Sequence, residues 1–153
     1  MKQLFTTSLI LISSIICNAQ IILSEIHYNP ADELPILGDD LEFLEVTNTG
    51  NEEVNLAGYF FTEGIQFSFP ANSLLAPNAS LVLAKNKLVL ENTKSISVFG
   101  QYSGGLKNSG ETVTMSDLFL NEIFSVTYDD TAPWSVLADG IGNSLEYLSL
   151  IHI

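Results

Sequence analysis

The sequence predicts an all-β sandwich, and three observations carry this. Short runs rich in Val, Ile, Phe and Thr recur along the chain, each ended by Gly, Pro, Asn or Asp. Where apolar residues alternate, as at Ile65, Phe67 and Phe69, the period is two. No stretch carries a convincing amphipathic helix. At 153 residues there is room for one domain with a sizeable core, and 46% apolar content excludes a disordered chain.

Residues 1–19 have the layout of a secretory signal peptide. Lys2 gives a positive start, Leu4 to Ile16 is nearly all apolar or hydroxyl, and Cys17-Asn18-Ala19 precedes the expected cut. The run is shorter than the ~20 residues a membrane-spanning helix needs. Ile16 is too large for a lipid-anchoring signal at Cys17. The single cysteine leaves with this segment, which excludes a disulfide framework and a cysteine-based zinc site. The expected location is secreted, cell-surface or periplasmic, without membrane association after cleavage.

Ile21 to Tyr28 is a β-rich run stopped by Asn29-Pro30. Ala31 to Asp40 is an acidic loop. In the stretch Asp39 to Gly50, Leu44 and Val46 point one way, and Leu41, Phe43 and Glu45 the other. This suits an inner strand covered on both faces, with Glu45 in need of donors. Tyr59 to Thr62 is a strand broken by Gly64. Ile65 to Phe69 is a strand ended by Pro70, and Leu81 to Ala84 a short buried strand. Lys85 to Lys94 is read as a solvated connection with a local charge balance, holding a helical turn at most. Ile96 to Phe99 is a strand ended by Gly100. Thr112 to Met115 and Ile123 to Tyr128 form a hairpin about a turn at Asp117 to Asn121, and Ser144 to Leu148 is the last strand.

The charge excludes some functions. Eighteen acids against five Lys and Arg give −13, and loss of Lys2 leaves 18 against 4, or −14. Nucleic acid is excluded as a partner, because phosphate binding relies on basic residues. Anionic lipid surfaces are excluded likewise.

Four constellations could carry chemistry. Asp39, Asp40, Glu42 and Glu45 could offer oxygens to a hard cation, yet no Asp-x-Asp-x-Asp-Gly loop is present and Glu42 and Glu45 point to opposite faces. Asp129, Asp130 and Asp139 could join them if the loops meet. Glu25 and His27 share one strand face and could move a proton, but no nucleophile accompanies them. Tyr59, Tyr102, Tyr128, Trp134 and Tyr147 could be exposed aromatics, with Trp134 folding its loop over the core. Glu111 reads as structural, accepting backbone N–H groups of the turn before it. No catalytic, cofactor-binding or metal-binding residue is assigned.

An ordered set of motifs runs through the chain: Ser24-Glu25-Ile26, Asp40 to Asn48, Asn55 to Tyr59, Phe69-Pro70, Leu75-Ala76-Pro77 with Leu81-Val82-Leu83, Leu106 to Val113, and Ser125 to Tyr128. The set resembles the lamin tail domain family in its bacterial secreted form, over residues 21 to 148. Phe43 and Tyr59 stand where that family often has Trp. The loop Pro30 to Asp39 is longer and more acidic than in nuclear lamins. The resemblance implies an immunoglobulin-like β-sandwich over residues 20–148. Residues 149–153 match nothing in the family and read as a non-native or truncated tail. It further implies an exported, non-catalytic binding or scaffolding module, whose partner is a protein or a cell-surface or extracellular polymer. Two other readings stand beside it. One is the N-terminal accessory domain of a longer secreted enzyme (a hydrolase, nuclease or spore-coat-type kinase). The other is a calcium-dependent adhesin or carbohydrate-binding module.

Overall fold

The computed structural model describes residues 21–146. The segments 1–19 and 149–153, and Tyr147, lie outside the described residues. In chain order the strands are β1 (Ile21–His27), β2 (Phe43–Asn48), β3 (Val54–Asn55), β4 (Phe60–Glu63), β5 (Leu74–Leu75) and β6 (Ser80–Ala84). Helix α1 (Lys87–Lys94) is next, then β7 (Gly100–Gln101), β8 (Glu111–Ser116), β9 (Glu122–Tyr128) and β10 (Leu145–Glu146). One sheet has the order β10-β1-β2-β6-β7, the facing sheet β4-β8-β9, and β3 pairs with β5 in a small third one. This is the expected β-sandwich of immunoglobulin type.

The interior follows from alternation. Strand β2 lies between β1 and β6, and its Leu44 and Val46 are fully buried. They meet Leu23, Ile26 and Leu83 of their own sheet and Phe61, Val113 and Met115 of the other. Buried apolar area of this kind stabilises by about 25 cal/mol per Å². At the end of β2, buried Asn48 Nδ2 donates to the carbonyls of Glu52 (2.8 Å) and Leu75 (3.0 Å), which ties the small sheet to the large one.

Strand β1 contains a bulge that strict alternation does not foresee. Leu23 pairs with Val46, but Glu25 pairs with Glu45, so Ser24 is an extra residue. The insertion changes the parity of every later position in the strand. Leu23, Ile26 and Tyr28 all enter the core, while Glu25 and His27 are left on the outer face.

Four expectations are corrected. Lys87–Lys94 is a helix, not a solvated connection. Asn86 caps it, with Oδ1 accepting from Val89 N at 3.3 Å, and Leu90 is buried against Leu41, Ala84 and Val98. The segment Ile96 to Phe99 is not a strand; Val98 fills that second cluster, and Phe99 N donates to Val82 O at 2.8 Å. Ile65 to Phe69 forms only isolated bridges, although Phe69 N donates to Tyr59 O at 2.8 Å. Leu41 belongs to a 3-10 turn (Gly38–Leu41) rather than to β2, so the second face of β2 is covered at one end only, by the cluster beneath α1.

The most buried carboxylate is not Glu45 but Glu42, which is 2% exposed at the step from that turn into β2. Lys85 Nζ donates to its Oε1 at 2.8 Å, and Leu106 N to its Oε2 at 2.9 Å; Tyr102 OH lies 3.4 Å from Oε2. Burial pushes the Glu42 carboxyl up, against the pull of Lys85 and the Leu106 N–H. Burial acts downwards on the Lys85 ammonium, but the hydrogen bonds and charges of Glu42 and Asp39 outweigh it and raise it. Removing one member of such a buried pair strands the other. Lys85→Met is therefore expected to lower the unfolding free energy by about 3–5 kcal/mol, because it leaves a 2% exposed carboxylate without its cation. Glu42→Ala is expected to cost less, because the Lys85 side chain is 27% exposed and keeps Asp39 at 3.2 Å. Urea denaturation of both variants measures the order; an equal or reversed cost would contradict this account.

Candidate functional site

The bulge at Ser24 builds the floor of a depression on the outer face of the large sheet. Two cross-strand rows run side by side there. One row is Glu146, Glu25, Glu45 and Val82, on β10, β1, β2 and β6. The other is His27, Phe43 and Ala84, on β1, β2 and β6. Lys94 and Ile96, at and beyond the end of α1, form one wall, and Gly142 and Ser144 before β10 form the other. The space between them is about 340 Å³.

Neutral hydroxyls orient the carboxylates. Ser24 Oγ donates to Glu45 Oε1 at 2.6 Å and sits 2.7 Å from Thr47 Oγ1, which in turn lies 2.6 Å from Ser80 Oγ. Ser144 Oγ donates to Glu25 Oε1. Burial raises the Glu25 carboxyl, and the charges of Glu45 and Glu146 raise it further against the Ser144 bond. His27 packs edge-on against Phe43 with ring centroids 5.3 Å apart. It is 6% exposed, and its Nε2 is buried without a hydrogen-bond partner. Burial, then the Lys94 ammonium, lowers its pKa to about 4, with Glu33 opposing.

Glu25 and His27 thus share a strand face, as the sequence predicts, and line one depression, which the sequence does not predict. The other acids serve turns and loops. Asp39 pairs with Lys85 at 3.2 Å, and Asp40 accepts from Asn86 Nδ2 at 3.1 Å. Asp129 accepts from Thr131 N at 2.9 Å, and Asp139 from Asn29 Nδ2 at 2.6 Å. The charges of Asp139, Asp130 and Asp129 all reach Tyr28, whose burial is the main cause of its raised pKa. Among the described residues no three His, Cys, Asp or Glu stand together as a metal-holding group. Glu111 accepts from Lys107 N at 3.0 Å, the structural role expected of it.

The aromatic reading needs correction. Tyr102 and Tyr128 are core residues, 3% and 1% exposed. Tyr128 OH donates to Lys107 O at 2.9 Å, and its ring packs against that of Tyr28, tilted by 32° with centroids 4.8 Å apart. Trp134 and Tyr59 are partly buried against the core, as expected for Trp134. Sequence reasoning missed the walls of the depression, since Lys94 and Ile96 depend on the helix. It also missed the tip of the β8–β9 hairpin, where Leu118, Phe119 and Leu120 are exposed, Phe119 at 84%. Asp117 Oδ1 holds this tip by accepting from Phe119 N (2.8 Å) and Asn121 N (2.9 Å). Three consecutive apolar residues in a hairpin turn were the available signal.

His27 generates a pH prediction. Its folded pKa, about 4, lies below the ordinary 6.5, so between these values the unfolded chain binds the proton and the folded chain does not. Stability is therefore expected to fall as pH drops from about 6.5 to about 4. His27→Leu should flatten that part of a melting-midpoint profile; an unchanged slope would show that other groups control it.

A family model described as Lamin Tail Domain matches residues 17–130. No curated protein and no solved structure matches the chain.

Proposed function

The chain belongs to the lamin tail domain family, and from that premise we propose that it is an exported, non-catalytic binding or scaffolding module. The observation that carries this reading is the depression over β10, β1, β2 and β6, a concave patch on a rigid sheet face with hydroxyl-oriented carboxylates. Sites built on strands hold their geometry better than sites on loops. The partner is a protein or an extracellular polymer. The chain's charge of −13 speaks against nucleic acid and anionic membranes. Glu25 and His27 are read as recognition groups: the carboxylate is held by Ser144, and the imidazole packs on Phe43.

Two measurements test this. Protein recovered from the cell-surface or extracellular fraction of its host should begin at Gln20; recovery inside the cell with Met1 intact would overturn export. Immobilised protein should retain a component of the extracellular fraction that Ser144→Trp, which blocks the depression, does not retain. Equal retention by both would remove the depression from the function. Hydrolytic turnover abolished by Glu25→Gln would replace the binding reading with a catalytic one.

A further inference from the structure

We infer that the depression on the outer sheet face takes the side chain of a lysine or arginine presented by a partner protein. The inference rests on the binding-module reading and names the chemistry of its ligand.

Three carboxylates form a like-charge row across the sheet. Glu25 stands directly opposite Glu45 on one side and Glu146 on the other. Like charges directly opposite each other on neighbouring strands destabilise a sheet. The described lysines form no ion pair with the row. Lys85 pairs with Asp39 and Glu42, Lys87 with Glu91, Lys94 with Glu33 and Lys107 with Glu111. Among the described residues, Glu25, Glu45 and Glu146 have no ion-pair partner. Hydroxyl groups hold Glu25 and Glu45 in place without neutralising them. A cation bound from outside would remove the repulsion.

The lining of the depression selects the kind of cation. Phe43, Val82 and Ile96 make much of the lining apolar. A hydrated metal ion gains nothing from such surface, and it needs six or more oxygen ligands if calcium. A lysine or arginine side chain matches both parts: its methylene stem covers apolar surface while its head meets carboxylate. The volume of about 340 Å³ is near the small end for ligand pockets, ~300–1,000 Å³. His27 is the independent sign of a missing partner. It is more than nine-tenths buried, it lines the same depression, and Nε2 has no partner. A neutral imidazole carries one acceptor nitrogen, which a cationic N–H donor can use once the ring turns that nitrogen toward the depression.

An NMR titration of the isotopically labelled, full processed chain tests this. The probes are acetyl-Gly-Lys-Gly amide, acetyl-Gly-Arg-Gly amide, the norleucine equivalent and butylamine. The lysine or arginine peptide should shift the amides of Glu25, Glu45, Ile96 and Gly142 saturably. Norleucine should bind at least about tenfold more weakly, because it keeps the stem and loses the charge. The double variant Glu25→Gln with Glu45→Gln should also lose about tenfold or more, while its melting midpoint stays level or rises. Absent or unsaturable shifts, equal binding of norleucine, or undiminished binding by the variant would each overturn the inference. Butylamine binding as tightly as the lysine peptide would point to a free amine and overturn the protein source. A double variant that fails to fold would contradict the premise that these acids oppose stability. A partner retained from the extracellular fraction but indifferent to the lysine peptide would sink this inference alone and leave the binding-module reading in place.

Discussion

The register of β1 against β2 is the constraint on which the rest depends. One extra residue, Ser24, separates two pairings of opposite parity. Before it, Leu23 enters the core opposite Val46; after it, Ile26 does so opposite Leu44. Without the insertion, the strand would have to send Glu25 and His27 inward behind Leu23, at the cost of burying two ionisable groups. With it, the apolar residues stay inside and the polar pair is displayed. The inserted Ser24 is also the donor that fixes Glu45. One local irregularity thus serves the packing of the sandwich and the shape of its outer face.

The Glu42 cluster performs a different task. A single carboxylate at the entrance to β2 gathers Lys85 after β6 and the backbone at Leu106. It fixes where the chain leaves β6 and so where α1 starts. The helix then packs Leu90 onto Leu41, Ala84 and Val98, which brings Lys94 and Ile96 to the rim of the depression. The outer face is therefore shaped from two sides, by a bulge within the sheet and by an ion pair just ahead of the helix.

Much of the architecture was legible in the sequence, because alternation and turn residues are local signals. The β8–β9 hairpin, the central place of Leu44 and Val46, and the shared face of Glu25 and His27 all derive from them. The need of Glu45 for donors was legible too, and Ser24 and Thr47 stand within hydrogen-bonding distance. The features that escaped have tertiary causes. Leu88, Val89 and Leu90 are adjacent, which blurs the helical period, and only the surface offered by Leu41 and Ala84 makes a helix of that stretch. Glu42 reads as one acid of the group Asp39, Asp40, Glu42 and Glu45 until Lys85, distant in sequence, arrives beside it. Tyr102 and Tyr128 read as exposed aromatics because what packs on them, as Tyr28 does on Tyr128, is far away in the chain.

The pairing of every described lysine, in a chain without arginine, has a consequence outside the protein's own binding. Trypsin-like proteases need an extended segment with a free basic side chain to fill their specificity pocket. Here Lys87 and Lys94 lie in a helix, Lys85 is anchored to a buried carboxylate, and Lys107 leans on Glu111 within a tight turn. Digestion at Lys85, Lys87 and Lys94 would have to wait for local unfolding, whereas Lys107, with its side chain 69% exposed, is the described lysine most open to such an enzyme.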